Sequence, residues 1–330
     1  MSTSVETMRQ TEAQEEAIKA HVAASQPLVG PVEPISVLRA EYAANPSFAG
    51  KIDSLCGVAS SIRRARGDGN CFYRSYCFAI MEWAQRWLHP SADAVRVLRC
   101  SASRSVGIAC APSPRSHTLS ISLPRITNGR TDRTAGAPAH NAAYVRARAA
   151  QSAAAKASAS AKYDAFLAVL RGSAATLGAQ GYSEMVFEDY LEEAVELFEA
   201  ARTCSRAELE AHAADETLWN GIVFFVKLLA AAQMKGHRDD FVPFIEATTG
   251  LSLDAFCTTQ VEAMWVECDH LQIVALAGAL GLGVKVWYLD GAGGAINGHV
   301  FPEESSVGGG DGALVHLLFR PGHYDILHVA

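Results

Sequence analysis

A chain of 330 residues with 49% hydrophobic content is long enough to bury a sizeable core, as one large domain or two smaller ones. Its formal net charge of −7 argues against nucleic acid as the main partner, and the apolar run at 222–226 is broken by Lys227, too short to span a membrane. The eight cysteines are scattered singly, with no C-x-x-C pair and no finger-type spacing. That usage fits reduced thiols in the cytoplasm or nucleus and no bound metal or cofactor.

Residues 1–33 are polar and acidic, include Pro27 and Pro31, and begin with neither a basic start nor an apolar run. They are expected to form a flexible tail without a signal peptide, leaving 34–330 as the globular part. Apolar residues at helical spacing predict two short helices over 35–44 and 48–62. The stretch Asp68-Gly69-Asn70 that follows is turn chemistry, since Asp and Asn bond their own backbone and Gly allows positive φ. From 72 to 88 there is no Pro or Gly, and apolar residues occupy nearly every face, the pattern of a helix buried inside a protein.

Cys71 therefore starts a core helix. Unpaired N–H groups and the positive end of the helix dipole favour a thiolate there. The same N–H groups face any oxyanion formed on a carbonyl that the sulfur attacks. An ordinary buried cysteine after a turn gives the same local pattern, so Cys71 is a candidate nucleophile that needs a partner elsewhere.

Residues 88–160 differ in composition. They hold ten basic residues against two acids, a local charge of +8, and Tyr144 is the only aromatic. Such a segment buries too little apolar surface to offset its ordering entropy. It reads as a low-complexity insertion: a solvated loop, retained intron sequence, or a basic arm for nucleic acid or an acidic partner. Helical spacing resumes from Tyr163 and continues over 185–201, 216–234 and 241–247. Asp269 is placed to cap a helix over 270–280 that Gly281 would end.

The period then changes. Residues 284–289, 313–320 and 323–329 read as strands, separated by Gly-rich or Pro-Gly turns. The expected architecture is α+β, a helical body with a small, mostly antiparallel sheet built from the carboxy-terminal end. On the last strand His323 and Asp325 stand two apart and so share a face. That lets the carboxylate fix one ring nitrogen and leave the other for a nucleophile. An exposed His and Asp at a strand end would show the same spacing.

The run Asp68-Gly69-Asn70-Cys71-Phe72-Tyr73-Arg74 and the run Arg320-Pro321-Gly322-His323-Tyr324-Asp325-Ile326-Leu327 together resemble the otubains, the OTU-type cysteine deubiquitinases. Val261-Glu262-Ala263-Met264 followed by Asp269-His270 is similar to a third block of that family. The resemblance runs over about 34–88 and 163–329. It implies a papain-like OTU fold and cleavage of the bond between ubiquitin's carboxy terminus and a lysine in polyubiquitin. In that scheme Cys71 attacks, His323 moves the proton and Asp325 orients His323, while Asp68 shapes the loop and supports the oxyanion. Ubiquitin and polyubiquitin are the implied partners, with ubiquitin-conjugating enzymes as further ones. A non-catalytic role, binding ubiquitin or conjugating enzymes as a regulator, is the alternative. His328 stands where the family usually has an aromatic, a difference expected to touch packing more than chemistry.

Overall fold

A computed structural model describes residues 13–14, 17, 20–89, 137–291, 294–302 and 313–329, with side chains of 137–152 and 313–314 excepted. The first part of the expected tail and residues 90–136 of the expected insertion lie outside the described residues.

Six strands form one sheet. In chain order they are β1 (Val29–Pro34), β2 (Ala59–Ala65), β3 (Gly283–Tyr288), β4 (Asn297–Phe301), β5 (Ala313–Arg320) and β6 (His323–Val329). Their spatial order is β1-β2-β6-β5-β3-β4, with every neighbouring pair antiparallel except β3 and β5. The fold is α+β and the sheet mostly antiparallel, as the sequence predicts. It is not, however, built from the carboxy-terminal end alone.

Two strands come from the region read as tail and helix. Val29–Pro34 carries two prolines, which a strand tolerates only at a sheet edge, and β1 is the edge strand. Leu28 and Val29 are buried, so the core begins before residue 33. In β2 the buried apolar residues Ala59, Ile62 and Ala65 recur every third position, a spacing that imitates a helix. The helix predicted over 48–62 is accordingly shorter, and its last residues belong to the strand. Ahead of it come α1 (Val37–Glu41) and α2 (Ala49–Val58). They cover one face of the sheet over Ile35, Leu38, Ile52, Leu55, Ile62, Leu318 and Leu327.

The opposite face packs against α3 (Cys71–Leu88), buried on nearly every side. Several of its polar groups bond to the sheet and to the segments flanking it. Ser75 Oγ donates to the Tyr324 carbonyl (3.1 Å), and Tyr76 donates to that of Leu282 (2.5 Å). Glu82 meets Arg63 of β2 (2.9 Å), Arg206 (3.1 Å) and His328 of β6 (2.8 Å). His328, bonded also to Ser61 (3.0 Å), is thus a polar tie between sheet and helix rather than a packing substitute for an aromatic.

Around α3 stand α4 (Ala137–Ala179), α5 (Glu184–Ala200), α6 (Arg206–His212), α7 (Glu216–Gly236), α8 (Arg238–Thr249), α9 (Leu253–Phe256) and α10 (His270–Leu280). Helix α4 starts well inside the expected insertion. The alanine-rich stretch that reads as low complexity is also the strongest helix-forming composition, and Ala159 is buried. Asp269 and Gln272 form a capping box on α10, and Gly281 ends it with φ +64°, as predicted. Helix α7 is long and apolar enough to cross a membrane by length and composition, contrary to the reading of Lys227 as a break. It is the central core helix here, mostly buried, and Lys227 is buried with it.

Candidate active site

The turn before α3 is tightly specified. Asp68 Oδ1 accepts from the Asn70 N–H (3.0 Å), while both its oxygens accept from the guanidinium of Arg74 (3.0 and 2.8 Å). Arg74 is wholly buried one turn into α3, so this ion pair staples the loop onto the helix it precedes. Asp68 therefore shapes the turn. Gly69 has φ +82°, and a Cβ there would lie 2.3 Å from the Trp265 carbonyl oxygen. Only glycine fits both restrictions.

Asn70 does not cap the helix with its side chain. Its Oδ1 accepts instead from the Trp265 N–H (3.2 Å), leaving the first-turn N–H groups uncapped beside Cys71. Trp265 is the one non-glycine residue with positive φ (+67°) among the described residues. The block at 261–270 that the sequence singles out is thus the wall packed against the turn before Cys71. Lys227 holds that wall from below. Its Nζ donates to the carbonyls of Ala263 (2.9 Å) and Val266 (3.3 Å) and sits 4.4 Å over the Tyr73 ring. Burial pulls the Lys227 pKa down to about 8, although Cys268, Asp68 and Cys71 pull the other way.

Cys71 itself is 2% exposed. Burial pushes the thiols of Cys77 and Cys257 up to about 12 and that of Cys268 well above the ordinary thiol range, which makes those three poor nucleophiles.

His323 opens β6 directly after Gly322, whose φ of +73° makes the hairpin turn from β5. Its Nε2 meets Asp325 Oδ1 at 2.9 Å, the same-face contact that the i, i+2 spacing predicts. Burial alone would lower the His323 pKa. Its bonds to Asp325 and to Cys71 outweigh that and raise it from 6.5 to about 9. With Nε2 engaged by Asp325, Nδ1 is the nitrogen left for the sulfur. The structure therefore brings Cys71, His323 and Asp325 together from opposite ends of the chain, with Asp68 serving the turn.

Asp325 is fully buried. Burial disfavours its charge, but the contacts with His323, Arg320 and Arg64 prevail and hold its pKa below the usual carboxylate value. Its Oδ1 also accepts from the Ala65 N–H of β2 (3.1 Å). Sequence reasoning missed Arg64, Lys227 and Trp265. Arg320 lies inside the quoted motif without a role, though its place opposite His323 across a two-residue turn was the available signal. Among the described residues no group of three His, Cys, Asp or Glu side chains is arranged to hold a metal.

The family model described as peptidase C65, otubain, matches residues 21–92 and 154–329. Ubiquitin thioesterase OTUB1 of Homo sapiens is 30% identical over 319 residues, covering 96% of this chain and 88% of its own. The ovarian tumor domain-containing deubiquitinating enzyme 1 of Arabidopsis thaliana is 28% identical over 326 residues, covering 93% and 82%. Among solved structures, a complex of h/ceOTUB1 with ubiquitin aldehyde and UBC13~Ub superposes with a TM-score of 0.66 at 22% identity, covering 98% of both chains. A ceOTUB1, ubiquitin aldehyde and UBC13~Ub complex gives 0.63 at 22% identity, covering 96% of this chain and 99% of that one.

Proposed function

This chain belongs to the otubain family of cysteine peptidases, and from that premise we propose that it cleaves polyubiquitin at the isopeptide bond through Cys71, His323 and Asp325. At the coarser level it is a deubiquitinating cysteine hydrolase. The observation that carries the finer reading is the bonded series Cys71, His323, Asp325 at the start of a buried helix whose first turn is uncapped.

The chemistry follows from the arrangement. His323 Nδ1 takes the Cys71 proton as the sulfur attacks the carbonyl carbon of ubiquitin's carboxy terminus. The resulting oxyanion lies against the first-turn N–H groups of α3, on the side braced by Asp68 and Trp265. His323 then passes its proton to the departing lysine amine, leaving a thioester on Cys71. Water, deprotonated by His323, hydrolyses it and frees the thiol. Asp325 stays ionised throughout and holds the imidazolium by Nε2. No cofactor enters these steps.

Ubiquitin and polyubiquitin are the proposed partners. Ubiquitin-conjugating enzymes are proposed as well, because the solved neighbours are complexes with UBC13~Ub and UBCH5B~Ub. That likeness also supports a second, non-catalytic activity as a brake on conjugating enzymes. We place the protein in the cytoplasm or nucleus, in keeping with six free cysteines among the described residues.

The test is incubation with a ubiquitin carboxy-terminal electrophile, followed by mass spectrometry of the adduct. A single adduct on Cys71 is expected. Labelling at Cys77 or Cys268, or none, would refute the assignment. For the second activity, Cys71→Ala should still slow chain synthesis by a conjugating enzyme; unchanged synthesis would leave catalysis as the sole function.

A further inference from the structure

Asp325 is gripped on both oxygens. Oδ1 takes His323 Nε2 and the Ala65 N–H, whereas Oδ2 accepts from Arg320 Nη2 (2.6 Å) and lies 3.4 Å from Arg64 Nη1. The two arginines are held in turn by one carboxylate on α1. Arg320 Nη1 donates to Glu41 Oε1 (2.7 Å), and Arg64 Nη2 donates to Glu41 Oε2 (2.6 Å). Glu33 of β1 adds a contact to Arg64 Nε (3.4 Å). The result is a closed circuit from α1 through two guanidiniums to the buried carboxylate.

Electrostatics alone does not explain this circuit. Asp325 already has the imidazolium as counter-ion, and two further cations on Oδ2 weaken its hold on that imidazolium. What the arginines supply is orientation. The χ2 torsion of an aspartate is broad and roughly two-fold, so a carboxylate held through one oxygen is less sharply oriented than one held through both. Fixing Oδ2 fixes Oδ1 on Nε2. This fixes the tautomer in which Nδ1 is the base.

We infer that Arg320, braced by Glu41, is a positioning residue for the reaction: it locks the Asp325 carboxylate, and through it the His323 ring, toward Cys71. Helix α1, thirty positions before the nucleophile, is then part of the catalytic apparatus. The inference rests on reading Cys71, His323 and Asp325 as the triad.

The experiment is a double-substitution cycle measured on a fluorogenic ubiquitin carboxy-terminal amide. Arg320→Met keeps the aliphatic stem and removes the fork. It should lower kcat about tenfold with KM within about twofold, the split expected of a group that acts on the reacting residues. Arg320→Lys, which retains one donor and the charge, should recover about a third of the loss or more. In an Asp325→Asn background the same Arg320→Met change should cost less than about twofold, since the oriented carboxylate is already gone. Glu41 is 38% exposed, so Glu41→Gln serves if Arg320→Met does not fold. It should lower kcat about threefold, again only when Asp325 is intact. Wild-type kcat in both, a loss carried by KM, or equal factors in both backgrounds would overturn the inference while leaving the triad standing. An Asp325→Asn enzyme with unchanged kcat would sink the triad reading and this inference together.

Discussion

Gly69 offers the sharpest test of how the nucleophile's turn is built. Two costs meet in Gly69→Ala. Positive φ (+82°) costs an alanine about 1–2 kcal/mol. The new Cβ would then lie 2.3 Å from the Trp265 carbonyl oxygen, against at least 3.4 Å for ordinary contact, so the two segments must part by about 1 Å. Overpacking of that kind adds about 1–3 kcal/mol. Gly250 provides a control for the first cost alone: its φ is +68°, and nothing lies within 4 Å of its Cβ position. Gly250→Ala should therefore cost about 1–2 kcal/mol and leave turnover unchanged. Gly69→Ala should melt several degrees lower than Gly250→Ala, at about 2–4 °C per kcal/mol for a domain of this size. Its kcat should fall by about a hundredfold, the usual consequence of a 1 Å misplacement at a catalytic group. Thermal melts and turnover of di-ubiquitin, run on both variants, decide the matter. Equal melting temperatures with turnover preserved in Gly69→Ala would show that the Trp265 wall yields freely and does not fix the turn.

Cys71→Ala should abolish cleavage of di-ubiquitin while binding of ubiquitin, measured by calorimetry, is retained; residual cleavage would move the nucleophile elsewhere. His323→Ala should lower kcat/KM by about 10²–10⁴ and Asp325→Asn by less, and the reverse order on the same substrate would contradict the assigned roles. Because His323 is raised to about 9, its imidazolium stabilises the fold fully below pH 6.5 and progressively less as pH rises to about 9. Melts across that window should drop for the native protein and stay flatter for His323→Ala, and parallel curves would refute the linkage. Replacing residues 93–136 with a Gly/Ser linker should leave di-ubiquitin turnover within about threefold, since lengthening a loop costs only about 0.6 kcal/mol per doubling; an insoluble or inactive product would make that segment part of the core.

The site was more legible in the sequence than the sheet that holds it. Asp68 acts on Asn70 and Arg74, so the turn and the helix start at Cys71 are written locally, although Gly69 and Asn70 also answer to the distant Trp265. His323 and Asp325 likewise face each other by strand periodicity alone. The strands β1 and β2 were hidden by prolines that only an edge position excuses and by a three-residue apolar spacing that mimics a helix. Those are tertiary facts, decided by which strand lies beside which. Arg64, Lys227 and Trp265 were missed for the same reason, since each acts on a partner at least 36 positions away.

That hidden sheet brings Cys71 and His323 together. Ala65, the last residue of β2, donates its N–H to Asp325, and six positions later the same continuous backbone delivers Cys71. Between them the chain is fixed by Arg66, whose N–H bonds the Leu28 carbonyl, and by the Asp68–Arg74 pair. One ladder of β1, β2 and β6 therefore carries Asp325, His323 and the lead-in to Cys71. The remainder of α3 only has to stay packed on the sheet, which Ser75, Tyr76 and Glu82 ensure along its length. An 18-residue helix is about 27 Å long, so the segment that follows Leu88 leaves from the end opposite Cys71.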